Sequence, residues 1–187
     1  MSYRTQAGVY RVDITAPAGI SMSGYFARAG VSEGYGRPLT ATAVVLAGGG
    51  RKVAILGCDV IAFTTFDDGI RAAIAASIGT TVDSVLINTS HTHCGPTLTD
   101  YSWEPEDQKQ IQRACLANLK RLLTGCAVSA DRRLQPARLG TANGSSHIGI
   151  NRREFDPESG KVILGENPNG PMDPTVGVIR IDDLGGR

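Results

Sequence analysis

Residues 40–59 read Thr-Ala-Thr-Ala-Val-Val-Leu-Ala-Gly-Gly-Gly-Arg-Lys-Val-Ala-Ile-Leu-Gly-Cys-Asp. Two β-branched, apolar runs, Thr40–Ala47 and Lys52–Asp59, flank the segment Gly48-Gly49-Gly50-Arg51. Glycine supplies positive φ at no steric cost, so the spacing predicts a β-hairpin. A phosphate-cradling loop would end in Gly-Lys-Ser/Thr and open a helix, and this segment does neither. Downstream, the four-residue repeat of Ile70, Ile74 and Ile78 predicts a helix over Phe66–Gly79. Asp67 and Asp68 suit its positive N-terminal end and Gly79 is placed to stop it. Ser84–Ser90 is nearly continuous in its apolar part, which predicts an interior strand. A second helix is expected from about Glu106 to Thr124, with Ile111, Cys115, Leu119 and Leu122 on one face. Gly125 suits its C-cap, although the helix can continue past it. Upstream, Gly8–Ile14 has Val12 and Ile14 in alternation with polar positions and Val9 out of phase. Further strands are expected at Ala137–Thr141 and Thr175–Ile181. Strands alternating with helices predict an α/β fold, and the hairpin makes its β-sheet mixed, flanked by helices. No repeat, low-complexity tract or linker divides residues 1–187, which read as a single domain.

The chain has 187 residues and a formal net charge of +1, from 19 Lys and Arg against 18 Asp and Glu. That balance argues against nucleic acid or an anionic membrane surface as the main partner. No apolar run is long enough to span a bilayer. The first residues show no apolar signal region, which leaves the compartment open with the cytoplasm as the default. Oligomeric state is not readable. Glycine is abundant, 23 of 187 residues, and the glycine-rich stretch from Pro17 to Gly36 is a long loop of the kind that more often carries function than not. The four cysteines, Cys58, Cys94, Cys115 and Cys126, form no Cys-x-x-Cys pair. They read as small buried hydrophobes, with disulfides as the alternative.

The chemistry concentrates in Asn88-Thr89-Ser90-His91-Thr92-His93-Cys94-Gly95-Pro96, which holds two of the three histidines. They fall at the exit of a strand, where ligands of open α/β sheets sit. In extended backbone, residues i and i+2 project from one face. Imidazole suits both zinc ligation and proton movement near neutral pH, whereas a solvated turn would leave both rings idle. Asp59, at another strand end, is a candidate acceptor behind a metal-bound histidine. Cys94 is a weaker candidate thiolate, and His147 lies in a small-residue loop that suggests a structural role. Asn151-Arg152-Arg153 follows the Ile148/Ile150 alternation, and an arginine ending a buried run can grip a substrate oxygen.

Taken in order, these residues resemble the N-terminal part of the catalytic domain of the neutral/alkaline (non-lysosomal) ceramidases. The resemblance rests on Gly8–Thr15, Met22-Ser23-Gly24-Tyr25, Gly57-Cys58-Asp59, Asn88–Pro96, Ile150-Asn151-Arg152 and Asp173–Val178. It implies a zinc amidohydrolase that cleaves the N-acyl amide of ceramide or a related N-acyl lipid. His91 would be a zinc ligand. His93 would hydrogen-bond the zinc-bound water or the oxyanion, and Arg152 would be an active-site arginine. Gly24, Tyr25 and Asn151 would line the substrate. The family's remaining ligands, a second histidine, a glutamate and a tyrosine, would lie beyond Arg187, so the fold is expected to be incomplete at its C-terminus, with this fragment alone inactive. Cys94 and Thr97 replace the family's usual Ser and Gly. The alternatives are a zinc hydrolase of the same fold acting on a non-ceramide amide or ester, and a catalytically silent ligand-binding fragment.

Overall fold

The computed structural model describes residues 5–25, 27–63, 67–99 and 103–186, with the side chains of Asp67 and Asp68 outside the description. The chain divides into two compact units, Met1–Ala137 and Arg138–Arg187.

The first unit is built on the predicted hairpin. Strands β2 (Thr40–Gly48) and β3 (Arg51–Cys58) pair antiparallel from Gly48↔Arg51 to Ala41↔Cys58. Between them Gly49 and Gly50 both take positive φ, 59° and 76°, as a two-residue turn matched to strand twist requires. Strand β1 (Gln6–Asp13) runs antiparallel on the other side of β2. Helix α1 (Asp67–Ile78) then carries the chain back to β4 (Val85–Thr89), which pairs parallel with β3. Phe66, expected to open that helix, lies outside the described residues. The strand order is β4-β3-β2-β1, and the sheet is mixed, as expected.

One face of this sheet is the core. Ala41, Ala43 and Val45 of β2, with Ala54, Leu56 and Cys58 of β3, alternate inward. They meet Ile70, Ile74 and Ile78 of α1, and Leu119, Leu123, Cys126, Ala127 and Ala130 of α2 (Glu106–Asp131). Helix α2 does not stop at Gly125 but runs on to Asp131. The buried Cys126, Ala127 and Ala130 continue its apolar stripe, and their burial outweighs the roughly 1 kcal/mol that a mid-helix glycine costs. Its buried face is rotated from the expected one, with Gln112 inside and Ile111 half-buried. Gly8 permits the closest approach, since a Cβ there would overlap the Ala130 carbonyl. Lys52 gathers both helix ends. Its ammonium donates to the Ile78 carbonyl (3.0 Å) and pairs with Asp131 (2.7 Å).

The opposite sheet face carries Val9 and Leu86, 49% and 57% exposed. Strand β4 is therefore not interior as expected. Among the described residues it is the last strand on its side, and its apolar run alternates between a buried Val85 and an exposed Leu86.

Strand β5 (Gln135–Ser145) starts beside β1, with Gln6↔Pro136 and Ala7↔Gln135, and continues into the second unit. There its neighbour is β8 (Thr175–Asp183). An antiparallel hairpin of β6 (Asn151–Asp156) and β7 (Lys161–Asn167), not anticipated from sequence, completes the unit. No described residue from 138 to 186 is buried. The whole is the expected mixed α/β class.

Candidate active site

Because β3 and β4 are parallel, both release the chain at the same end, where Cys58 pairs with Thr89. The segments that follow stay together. The Ser90 amide donates to the Cys58 carbonyl (2.9 Å), and the Ile61 carbonyl accepts from the Thr89 hydroxyl (3.2 Å) and from His91 Nδ1 (2.8 Å). A carbonyl oxygen only accepts, so Nδ1 carries the proton, and in that tautomer the ring lone pair belongs to Nε2. No described residue hydrogen-bonds Nε2. The backbone is not extended here, because β4 ends at Thr89 and His91 has φ 54°. Among the described residues it is the one non-glycine in this left-handed region, which histidine tolerates at some cost. The two imidazoles nevertheless come together by that turn, with ring centroids 5.2 Å apart at 66°.

A second segment supplies the opposite wall. The glycine-rich loop is not free-running. The Ser23 amide donates to the Gly95 carbonyl (3.1 Å) and the Thr97 amide to the Ser21 carbonyl (2.8 Å). Gln108, in the first turns of α2, accepts from the Ser21 amide (2.9 Å) and donates to the Gly19 carbonyl (3.1 Å). This fixes Gly24 (φ 112°) where any Cβ would overlap the His93 ring. Tyr25 stacks edge-on against His93 with centroids 4.9 Å apart. Gly24, Tyr25, His91 and His93 thus line one cleft of about 520 Å³.

Arg28 and Glu104 line the same cleft and were not anticipated. Arg28 donates to the main-chain carbonyls of Ser23 (3.0 Å) and His93 (2.9 Å) and lies 4.9 Å from the Tyr25 ring centroid. The Glu104 carboxylate accepts from the Ser21 hydroxyl (3.0 Å). Cys94 lines instead a neighbouring cavity of about 620 Å³, beyond the bridge pairing Met22 with Pro96.

The acceptor expected of Asp59 is the Ile61 carbonyl two residues further on. Asp59 accepts from the Thr40 amide (2.9 Å) and hydroxyl (3.0 Å), joining the ends of β2 and β3. Desolvation pushes its carboxyl up. Hydrogen bonds from Thr40 and Ser90 and the charge of Arg11 outweigh that and hold it below the usual carboxylate range.

Asn151 and Arg152 belong to the second unit. Asn151 donates to the Pro171 carbonyl (2.9 Å) and accepts from the Arg153 amide (2.9 Å), and the β6–β7 register shifts between Asn151 and Arg153. Ile148 and Ile150 are 96% and 42% exposed, so Arg152 does not end a buried run as expected; it is an exposed residue at that irregularity. His147 faces solvent, its Nε2 3.4 Å from the Ser145 hydroxyl.

A zinc ion would find imidazole nitrogen here. His91, fixed by a carbonyl through Nδ1 with Nε2 open, has the usual geometry of an oriented zinc ligand. Among the described residues no group of three or more His, Cys, Asp and Glu is placed to hold a metal.

No protein-family model matches the chain, and no curated protein matches its sequence. Its fold is found among solved structures. A crystal structure of neutral ceramidase from Pseudomonas aeruginosa aligns with TM-score 0.72 and 19% identity, covering 100% of this chain and 31% of that one. A ceramidase complexed with C2 aligns with TM-score 0.74 and 22% identity, covering 99% and 30%. The chain therefore has the fold of part of a ceramidase, and spans about 30% of the length of the solved ceramidases it matches.

Proposed function

We propose that the protein is a ceramidase-like, zinc-dependent amidohydrolase acting on ceramide or a related N-acyl lipid. The observation that carries this reading is His91. Its ring is locked by the Ile61 carbonyl with Nε2 open to a cleft shared with His93, in a chain whose fold neighbours are ceramidases. His91 Nε2 would hold the ion, and the Ile61 carbonyl would orient the ring. Zinc, when bound, supplies a Lewis acid for an amide carbonyl and lowers the pKa of water. His93, 5.2 Å from His91 between ring centroids, would donate to or take a proton from groups reacting in the cleft. Tyr25 and Gly24 would bound the substrate on the far wall. The role of Arg152 rests on the resemblance alone. The other metal ligands would come from outside the described residues, since a catalytic zinc usually takes three from protein.

Zinc titration tests this directly. In the full-length protein, His91→Ala should weaken zinc binding at least about ten-fold, as loss of a ligand or its support does, with hydrolysis of an N-acylsphingosine lost in parallel. Zinc affinity unchanged in that variant would overturn the assignment. Turnover of short N-acyl amides with none of N-acylsphingosine would move the substrate away from ceramide while keeping the reaction.

A further inference from the structure

We propose that Arg28 is a positioning residue of this site, fixing the His93 imidazole through the main chain and through Tyr25. This rests on reading the cleft as an active site. One guanidinium donates to carbonyls of two separate segments, Ser23 in the glycine-rich loop and His93 itself. Its Cζ lies 4.9 Å from the centroid of Tyr25, and Tyr25 in turn packs edge-on to His93 at 4.9 Å. Arg28 therefore acts on His93 twice, from its carbonyl and through the ring that touches its imidazole. Gly24, with no Cβ, leaves His93 room to sit in that arrangement. No hydrogen bond joins Arg28 to either imidazole, so its action is on orientation. The planar fork matters as much as the charge, because its two terminal nitrogens reach two carbonyls in fixed relation while its Cζ sits over an aromatic ring. An ammonium on a flexible stem reproduces neither.

The histidine side-chain NMR signals of the metal-free protein test this without requiring zinc or substrate. His93 is assigned by the signal lost in His93→Gln. The ring current of Tyr25 should displace the wild-type His93 signals. In both Arg28→Ala and Arg28→Lys they should move toward those of an unpacked histidine, while those of His147 stay in place. In an active preparation, the same variants should lose at least about ten-fold in kcat, as loss of an orienting partner does, with zinc affinity and KM near wild type. Unchanged His93 signals in Arg28→Ala overturn the proposal. So does an Arg28→Lys protein that fails to fold, since the arginine then serves the fold and not the ring. If His91→Ala leaves zinc binding intact while the Arg28 variants still shift His93, the hydrolase reading fails and the positioning role stands.

Discussion

Gly24 shows how one missing Cβ shapes the cleft. Its φ of 112° strains any L side chain, and a methyl group there would overlap the His93 ring. Gly24→Ala should therefore destabilise the protein by about 1–3 kcal/mol in urea denaturation and displace His93. An alanine variant as stable as wild type would contradict the packing described. Four of the residues singled out in the sequence, Gly24, Tyr25, His91 and His93, do line one cleft. The histidines were legible because two imidazoles beside a strand end are costly to place idly, whereas Gly24 and Tyr25 were reached only through the family resemblance. Arg28 was not legible, because its partners are main-chain carbonyls, which any sequence supplies. Asp59 was legible as a strand-end acidic residue but not in its partner, since whether a carboxylate or a carbonyl backs a histidine depends on the turn taken between them.

Among the elements, the layer between β3 and α2 carries the clearest pH signature. Burial pushes the Cys58 thiol up to about 12, with the neighbouring Cys126 and Asp59 adding to it. In the unfolded chain the same thiol ionises near ~8.5. A group whose folded pKa is raised lends stability below its unfolded pKa and loses it as pH climbs toward the folded value. Stability should thus fall by up to about 1.4 kcal/mol per pH unit from this thiol as pH rises above roughly 9. Cys58→Ala should show a correspondingly shallower decline in denaturant melts across the same range. An identical slope would show that the thiol is not protonated in the core. The hairpin of β2 and β3 was readable because the glycine turn and the alternation agree. The position of β4 was not, because a short apolar run has no period by which to distinguish a central strand from an edge one. The β6–β7 hairpin carried a turn signal in Asp156-Pro157-Glu158-Ser159-Gly160. Asp156 accepts from the Glu158 and Ser159 amides there, and Gly160 has φ 65°. Its strands lacked a buried face to advertise them.

At the scale of the molecule, buried apolar residues lie in the first unit and none of the described ones from 138 to 186 is buried. Resistance to opening follows burial, so amide hydrogen exchange should be slowest in β2, β3 and α2. It should be markedly faster in β6 and β7. Equal protection in both units would mean that the second is held by something other than its own packing. The mixed α/β class was legible from the alternation of elements, whereas the division into two units was not, because no change in composition marks residue 137. Lys52 adds a mechanical corollary. Its one positive charge meets the C-terminal ends of both α1 and α2, where helix dipoles favour a cation. Acylating that amine would undo both anchors in a single chemical event, so the two helices are coupled as one clasp and not as two independent braces.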